Sequence, residues 1–251
     1  MNPEKMLDYT PRDTLLDERV ILVTGASAGI GAALARRAAS LGATVVLLGR
    51  SVPRLEAVYD EIENGGGPRP GIFVMDLLSA AAPQYEQLFD AVADAYGRLD
   101  GLVHCAGILG DRSPIEHYDV GVWQQVMQLN VTAPFILTRT MFPLLRRSGD
   151  ASVIFTSSGV GRQGHAFWGA YAVSKFATEG MMEVLASELN EDGPIRCNAV
   201  NPGATRTAMR RAAYPGEDPD QLKTPEEILG PYLFLLGPDG RGVNGDSFDA
   251  Q

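Results

Sequence analysis

Residues 20–31 read VILVTGASAGIG, and this stretch decides how the chain folds. Residues 20–23 form a short apolar run rich in β-branched side chains, which predicts a strand buried on both faces. A glycine-rich turn follows at once, and residues 32–41 carry apolar side chains at helical spacing. Glycines suit a tight turn in which a phosphate approaches bare backbone amides at a helix N-terminus. The stretch therefore predicts a nucleotide-binding strand–turn–helix unit, with an ordinary strand–helix turn as the alternative.

The same alternation continues along the whole chain. Further strands are predicted by apolar runs at residues 43–48, 71–75, 99–105, 151–156, 195–200 and 243–248. Helices are predicted between them at residues 53–63, 82–96, 119–147, 164–190 and 225–236. We therefore predict an α/β fold: a single Rossmann-type doubly wound sandwich of about seven parallel strands with helices on both faces. Residues 19–251 are expected to form this one domain, after a polar lead-in at residues 1–18.

The overall composition limits the partners. Hydrophobic residues make up 45% of the 251 residues, as in ordinary proteins with a buried core, and the net charge is −10. This charge argues against nucleic acid and anionic membranes as partners. The acid-rich N-terminus lacks the apolar segment of a secretory signal, and no run is long enough to span a bilayer. We expect a cytoplasmic protein in which Cys105 and Cys197 stay reduced, with no metal ion.

Tyr171 and Lys175 form the most informative chemical pair. They stand four residues apart, so on a helix their side chains lie on one face, one turn apart. An ammonium group beside a phenol stabilises the phenolate and lowers its pKa, which is ordinarily near 10. The chain has few other lysines, only Lys5 and Lys223, and lysine and arginine are not interchangeable where a compact charge is needed. We interpret the pair as an acid/base and its partner, with a solvated helix face as the alternative.

The end of the second predicted strand indicates which dinucleotide binds. In such folds an acid at this place binds the ribose 2′-hydroxyl of NAD, whereas an arginine accommodates the 2′-phosphate of NADP. The chain has Gly49 and then Arg50, with no acid. This favours NADP (NADPH), with NAD as the alternative cofactor.

The ends of several other predicted strands also carry candidate groups. Ligands of parallel sheets bind beyond the C-terminal ends of the strands, where Ser157 and Ser158 follow the fifth strand. A serine hydroxyl there can bond a substrate carbonyl beside the Tyr171 phenol. Residue chemistry alone does not choose between the two serines, and either can instead cap a turn.

Taken together, these motifs resemble the short-chain dehydrogenase/reductase family in its compact form. The resemblance covers residues 18–249 and rests on an ordered set: TGASAGIG at 24–31, Asp76-Leu77, Ala106-Gly107, Leu129-Asn130-Val131, Ser157-Ser158-Gly159, YAVSK at 171–175 and NPGATRT at 201–207. Within the family, the run SSGVGRQGHAFWGAYAVSKFATEGMM is most similar to bacterial YciK-type oxidoreductases, a subgroup that implies no settled substrate.

The resemblance implies a catalytic tetrad of Asn130, Ser158, Tyr171 and Lys175. Ser158 would orient the substrate, Tyr171 would act as general acid/base, and Lys175 would lower its pKa and hold the nicotinamide ribose. Asn130 would anchor a water of the proton relay. The implied cofactor contacts are Gly25, Ser27, Ala28, Gly29, Ile30, Gly31, Arg50, Asp76, Leu77, Ala106, Gly107, Asn130, Tyr171, Lys175, Pro202, Gly203, Thr205 and Thr207. Among these, Asp76 would contact the adenine and Thr207 the nicotinamide carboxamide.

Two segments depart from the family pattern or extend it. His104-Cys105 stands where the family often has Asn-Asn, which removes an asparagine that braces the strand end, and Thr205 replaces a usual isoleucine. Residues 206–223, rich in Pro, Gly and charge, predict a mobile lid. Its arginines, Arg206, Arg210 and Arg211, form either a solvated face or a site for an anionic substrate. Residues 165–168 are expected to border the substrate pocket.

The predicted function is hydride transfer between NADP(H) and a small-molecule carbonyl or secondary alcohol. The alternative is a catalytically silent NADP(H)-binding regulatory module on the same fold, which would be expected to have lost the Tyr or the Lys. An epimerase or dehydratase is less favoured, because the length leaves no room for a large C-terminal substrate domain. The helices at residues 119–147 and 170–190 are expected to pair subunits in a homodimer or homotetramer.

Overall fold

The sheet confirms the predicted fold class. The computed structural model describes residues 7–189 and 193–251. Within them, seven parallel strands form one sheet in the order β3-β2-β1-β4-β5-β6-β7. The strands are β1 (Val20–Thr24), β2 (Thr44–Gly49), β3 (Gly71–Val74), β4 (Gly101–His104), β5 (Ala151–Thr156), β6 (Ile195–Asn201) and β7 (Ser247–Asp249). The strand order reverses at β1, which lies between β2 and β4, and ligands of doubly wound sheets bind at such a point.

Helices cover both faces of the sheet, as a parallel sheet requires. They are α1 (Gly29–Ser40), α2 (Val52–Asn64), α3 (Ala82–Tyr96), α4 (Val120–Met127), α5 (Ala133–Ser148), α6 (Gly169–Glu188), α7 (Ala208–Ala213) and α8 (Gly230–Leu236). Helices α1, α2 and α8 pack on one face, and α3, α5 and α6 pack on the other. No helix among the described residues is long and apolar enough to cross a bilayer.

Alternate residues of each strand contribute to two separate cores. In β1, Ile21 and Val23 pack with the α1 side, whereas Leu22 packs with the α5 side. This division follows from the period of two along a strand. Because both faces are covered, the whole of β1 is buried, and its sequence is a continuous apolar run.

The core begins inside the segment that was expected to be a polar lead-in. Leu15 and Leu16 are buried among the side chains of the α1 side. The backbone N–H of Leu16 also donates to the carbonyl of Leu41, just after α1 (2.9 Å). The chain is therefore attached to the domain before the expected boundary at residue 19. Residues 1–6 of the lead-in lie outside the described residues.

The helix predicted at residues 119–147 is interrupted. It consists of α4 and α5 joined by a π-helical turn at Gln128–Thr132. Pro134 explains the break, because it has no N–H to donate to the Asn130 carbonyl four residues earlier and its ring crowds that carbonyl. The π turn accommodates one extra residue per turn, and such turns are frequent at functional sites.

Four other elements differ from the prediction, among them the helix expected from residue 225, which begins at Gly230. The helix expected from residue 164 starts at Gly169, and its expected end at residue 190 lies outside the described residues. The lid predicted at residues 206–223 contains the short helix α7. The last strand is shorter than predicted because Gly242 and Gly245 take positive φ values of 79° and 82°, which interrupt extended backbone.

Candidate active site

A cavity of about 310 Å³ opens at the C-terminal edge of the sheet. Predicted site residues from most of the motifs line it: Gly25, Ala28, Gly29, Ile30, Gly31, Ala106, Gly107, Ser158, Tyr171, Lys175, Pro202, Gly203, Thr205 and Thr207. The other predicted residues lie outside this lining: Ser27, Arg50, Asp76, Leu77 and Asn130. Segments far apart in sequence meet here because the ends of parallel strands share one edge.

The glycine-rich turn leads directly into the N-terminus of α1. A Cβ atom on Gly31 would lie 2.5 Å from the carbonyl oxygen of Gly25, so only glycine allows the helix to start so close to the turn. Thr24 ties the turn to the end of β4, since its Oγ1 accepts from the N–H groups of Cys105 (3.1 Å) and Ala106 (3.0 Å). No side chain caps α1, which leaves its first N–H groups for an anion. This end of the cavity fits the pyrophosphate of a dinucleotide.

Helix α6 places Tyr171 and Lys175 beside the cavity, one turn apart and both buried. Lys175 Nζ donates to the carbonyl of Thr156 at the end of β5 (2.7 Å) and lies 5.6 Å from the centre of the Tyr171 ring. Gly161 lets the chain after β5 approach α6, because a Cβ there would lie 2.8 Å from the backbone of Lys175. The turn that carries Ser158 is thereby packed against the helix that carries the other two groups.

Asn130 lies behind the cavity, in the π turn, and its whole amide is hydrogen-bonded. Nδ2 donates to the Ile108 carbonyl (2.9 Å) and to Ser174 Oγ (3.0 Å), and Oδ1 accepts from the Ile108 N–H (2.9 Å). The side chain therefore anchors the chain after β4 to α6. Four residues after Asn130, Pro134 has no N–H to donate to the Asn130 backbone carbonyl.

Arg50, Asp76 and Leu77 follow β2 and β3, at the same edge of the sheet but beyond the cavity. Arg50 is exposed, and no acid of the described residues forms an ion pair with it. The Asp76 carboxylate accepts from the N–H two residues later (3.1 Å). Ser27 lies close to the end of β2, since its Oγ is 3.5 Å from the place of a Cβ on Gly49. These residues are therefore placed for the adenosine half of a dinucleotide.

The segment after β6 closes the other side of the cavity. Thr205 is buried and donates to the Pro202 carbonyl (2.9 Å), and Gln251 Nε2 donates to the same carbonyl (2.7 Å). Thr207 is the N-cap of α7, where its Oγ1 accepts from the N–H of Arg210 (3.1 Å). Thr205 thus braces the turn from within, and Thr207 both lines the cavity and starts α7.

Comparison with known proteins decides the family. The sequence matches the short chain dehydrogenase family over residues 19–218. The chain belongs to this family. The family membership predicted from the ordered motifs is confirmed, and the protein is an oxidoreductase of the short chain dehydrogenase class.

Similar proteins match this short chain dehydrogenase over nearly its full length. The oxidoreductase YciK of Escherichia coli K12 is 51% identical over 245 residues, which cover 98% of this chain and 96% of YciK. A short chain dehydrogenase structure from Pseudomonas syringae is 53% identical with a TM-score of 0.96, covering 97% and 99% of the two chains. A crystal structure of a Shigella flexneri 2a short chain dehydrogenase complexed with NADP is 51% identical with a TM-score of 0.93, covering 96% and 100%. The predicted likeness to YciK-type oxidoreductases is confirmed.

The departure of this short chain dehydrogenase from Asn-Asn at residues 104–105 is compensated by a different bracing of β4. His104 Nε2 lies 2.9 Å from Thr138 Oγ1 of α5, and its ring stacks on Phe155 with centroids 4.8 Å apart. Burial, together with the Lys175 ammonium, lowers the pKa of His104 to about 3, so the imidazole is neutral. Burial raises the pKa of Cys105 to about 11. Neither group therefore carries charge into the site at neutral pH.

Burial governs the protonation of Tyr171 and Lys175. It raises the pKa of Tyr171 to about 12, against an opposite effect of the nearby Ser158 hydroxyl. It lowers the pKa of Lys175 to about 8, an effect that Cys105 and Glu179 oppose. Burial, which disfavours the phenolate, is the main influence on the Tyr171 pKa, and the lowering of this pKa by Lys175 stays a prediction. Tyr171 is therefore protonated at neutral pH, as a proton donor must be.

Glu179, which was not among the predicted site residues, lies one turn after Lys175 and is buried. Its Oε1 accepts hydrogen bonds from the hydroxyl of Ser157, from Ser247 Oγ (2.9 Å) and from Arg162 Nε (3.4 Å). Ser157 directly precedes the predicted orienting serine, so this carboxylate holds the serine turn against α6. The available signal was an acid four residues after the lysine, on the same helix face.

Replacing Glu179 by glutamine should move the pH profile of carbonyl reduction. Burial already lowers the Lys175 pKa to about 8, and the Glu179 carboxylate opposes this lowering. Without that charge the pKa falls further, and the ammonium, present below its pKa, is lost at a lower pH. The alkaline decline of kcat/KM with NADPH should therefore begin at a lower pH in Glu179→Gln than in the unaltered protein.

Glu183→Gln is the matched control, because Glu183 lies on the same helix and is exposed. Its profile should superimpose on that of the unaltered protein. If Glu179→Gln lowers the maximum of kcat/KM without shifting the pH of the alkaline decline, an electrostatic role of Glu179 is contradicted.

Proposed function

We propose that this short chain dehydrogenase is an NADP(H)-dependent oxidoreductase that transfers hydride between nicotinamide and a carbonyl or secondary alcohol of a small molecule. The observation that carries the proposal is the convergence of Ser158, Tyr171 and Lys175 on the cavity that begins at the glycine-rich turn. A phosphate-binding helix terminus at one end and a buried phenol at the other suit a dinucleotide that reaches a reacting centre.

Each group then has a defined task. The cofactor would supply hydride to the carbonyl carbon. The hydroxyls of Ser158 and Tyr171 would hold the carbonyl oxygen, and Tyr171 would donate its proton to that oxygen, so that hydride and proton together give the alcohol. Lys175 would hold the cofactor ribose and, with a water on Asn130, return a proton to Tyr171.

Tyr171→Phe tests this assignment. The variant lacks only the proton donor, so it should keep its affinity for NADPH while kcat falls by about 10²- to 10⁴-fold. Tyr59→Phe is the control, because the Tyr59 hydroxyl bonds Glu63 and Arg69 on the surface of α2, away from the cavity. NADPH oxidation with a panel of ketones and aldehydes measures both variants. Turnover of Tyr171→Phe at the unaltered rate would refute the role of the phenol.

The same panel distinguishes the silent regulatory module. Such a module would bind NADPH tightly and oxidise it with no carbonyl compound. Retention of Asn130, Ser158, Tyr171 and Lys175 in one arrangement supports the enzyme instead.

The preference for NADP rests on Arg50. It is exposed at the end of β2, no acid takes the place that would bind a 2′-hydroxyl, and the Shigella flexneri relative was crystallised with NADP. Arginine binds phosphate through charge-assisted hydrogen bonds, which contribute about 1.5–3 kcal/mol each.

Arg50→Ala should therefore weaken NADPH binding by roughly ten- to a hundredfold and leave NADH binding almost unchanged. Arg69→Ala removes an exposed arginine elsewhere and should change neither affinity. Fluorescence titration of both nucleotides measures the ratio. An equal loss for NADPH and NADH would show that Arg50 does not read the 2′-phosphate.

The oligomer expected from the long helices is supported by an apolar stripe on α6. Val173, Phe176, Gly180 and Val184 lie on one face of that helix, opposite Tyr171, and the side chains of Phe176 and Val184 are 45% and 60% exposed. Phe135 of α5 is likewise 54% exposed. We place a homodimer or homotetramer contact there, because exposed apolar patches of this kind mark protein–protein contacts.

The double variant Phe176→Asp/Val184→Asp should dissociate this oligomer to monomers. Burying two such side chains contributes about 1.5–3 kcal/mol each, and a buried unpaired carboxylate reverses that gain. Light scattering measures the mass, with Glu183→Gln as the control on the same helix. An unchanged mass would show that the contact between subunits lies on another face.

We also propose that the protein is located in the cytoplasm. Both cysteines are free thiols, with Cys197 fully buried in β6. Unpaired thiols are typical of the reducing compartment in which reductases draw on NADPH.

A further inference from the structure

The cavity is bounded near Tyr171 by a small apolar cluster that is separate from the two cores of the sheet. Its members are Val160, Trp168, Tyr171, Ala172 and Ala213, with Leu109 and Met209 packed against them. The cavity is lined by Leu109, Trp168, Met209 and Ala213, which we call the apolar wall. The ring centroids of Trp168 and Tyr171 are 5.7 Å apart, so the wall stands beside the phenol. A group attached to the reacting carbonyl therefore meets mostly carbon.

The one arginine among the described residues that line the cavity is paired with an acid. Arg210, which lines the cavity, gives two hydrogen bonds of 2.6 Å to Glu217. Lys175 is held by a backbone carbonyl of β5 at 2.7 Å. The other arginines of the expected lid, Arg206 and Arg211, lie outside the lining. A carboxylate held against these carbon atoms would lose its water, and Arg210 already has an acidic partner.

Trp168 is held by a stack of guanidinium groups and aromatic rings. The guanidinium carbon of Arg112 lies 4.5 Å from the centre of the Trp168 ring and 5.1 Å from the centre of the Tyr214 ring. The guanidinium carbon of Arg210 lies 3.9 Å from the centre of the same Tyr214 ring. Arg112 also donates to the Ala213 carbonyl (2.6 Å). Cation–π attraction thus joins the chain after β4, the chain before α6 and the chain after α7. The indole becomes a fixed, flat part of the wall.

Backbone strain next to Trp168 also supports the interpretation that the indole is held in a fixed position at a ligand site. Phe167 has a φ of 70°, in the left-handed region that large side chains rarely adopt. In this conformation Phe167 is 54% exposed, whereas the neighbouring Trp168 is buried in the cluster. Strained residues persist where their surroundings impose them, and they gather at ligand sites.

We propose that the substrate is an uncharged carbonyl compound with a flat aromatic ring next to the carbonyl, and that Trp168 determines this specificity. Arg112 and Tyr214 are positioning residues, because they act by holding the indole. The inference rests on the proposed function for the place of the carbonyl, between Ser158 and Tyr171. Its chemistry rests on the apolar wall and on the pairing of Arg210 with Glu217.

Methyl phenylglyoxylate and phenylglyoxylate test the exclusion of charge. They share one phenyl ring and one ketone and differ in the neutral ester and the carboxylate. After correction for their rates with borohydride, kcat/KM with NADPH should be at least about a hundredfold higher for the ester. Equal or preferred reduction of the carboxylate would overturn the proposal.

Acetophenone and acetone test the role of Trp168. Trp168→Ala should lower kcat/KM for acetophenone by about ten- to a hundredfold and change that for acetone by less than about threefold. Trp168→Phe keeps a flat ring and should restore most of the activity with acetophenone. Equal losses with both ketones in a variant that still binds NADPH would show a structural role only.

Arg112 is tested by the balance between KM and kcat. Arg112→Met keeps the length of the side chain without its charge, and should raise KM for acetophenone while kcat and the KM for acetone stay nearly constant. Arg112→Lys retains a cation and should recover part of the loss. A change in kcat alone would contradict a positioning role through the indole.

Calorimetry with the NADPH-loaded protein separates this inference from the proposed function. If the ester binds more tightly than the carboxylate and neither is reduced, the specificity holds and hydride transfer fails. If the carboxylate is reduced in preference, the specificity fails and hydride transfer stands. Binding of neither compound overturns the specificity as well.

Discussion

The bond from the Lys175 ammonium to the Thr156 carbonyl, 2.7 Å long, is the interaction on which the rest of the site depends. A buried cation without a partner strongly destabilises a fold, so the helix and the strand end must meet where this bond can form. Gly161 permits the approach, since any larger residue would collide with the Lys175 backbone. The same contact sets the distance between the Tyr171 phenol on α6 and the Ser158 turn after β5. This one hydrogen bond thus fixes Ser158 and Tyr171, the groups proposed to react, relative to each other.

Other buried polar groups near this bond also join separate chain segments. Asn130 joins the chain after β4 to α6 through three hydrogen bonds, and Glu179 joins the serine turn to β7. Each of these groups bonds a different chain segment, so the loops at the sheet edge are fixed to one another before any ligand binds. Preorganisation of this kind is what a site needs to hold a carbonyl and a cofactor in a reactive arrangement.

The two ends of the cavity are built by different physics. The end proposed to bind the cofactor consists mainly of backbone: glycines, strand ends and a helix N-terminus. Few substitutions fit there, because an added side chain would collide with neighbouring backbone. At the substrate end, side chains on loops form the site, and cations stacked on aromatic rings replace a continuous core. Loops tolerate change more readily than a packed sheet does. One fold can therefore keep its cofactor and alter what it reduces.

The alternation of apolar runs and helical periods determined the parallel sheet from sequence alone, and the order of the motifs determined the family. Most of the cavity was also predictable, because residues at strand ends must share one edge. Glu179 and Arg112 were not, since their partners lie far away in sequence and meet them only through tertiary packing. Tyr171 and Lys175 show this division most clearly. The spacing of Tyr171 and Lys175 placed them on one face of a helix, but only the tertiary structure determined that burial raises the pKa of Tyr171 and lowers that of Lys175, because both shifts depend on how much water the surrounding segments exclude.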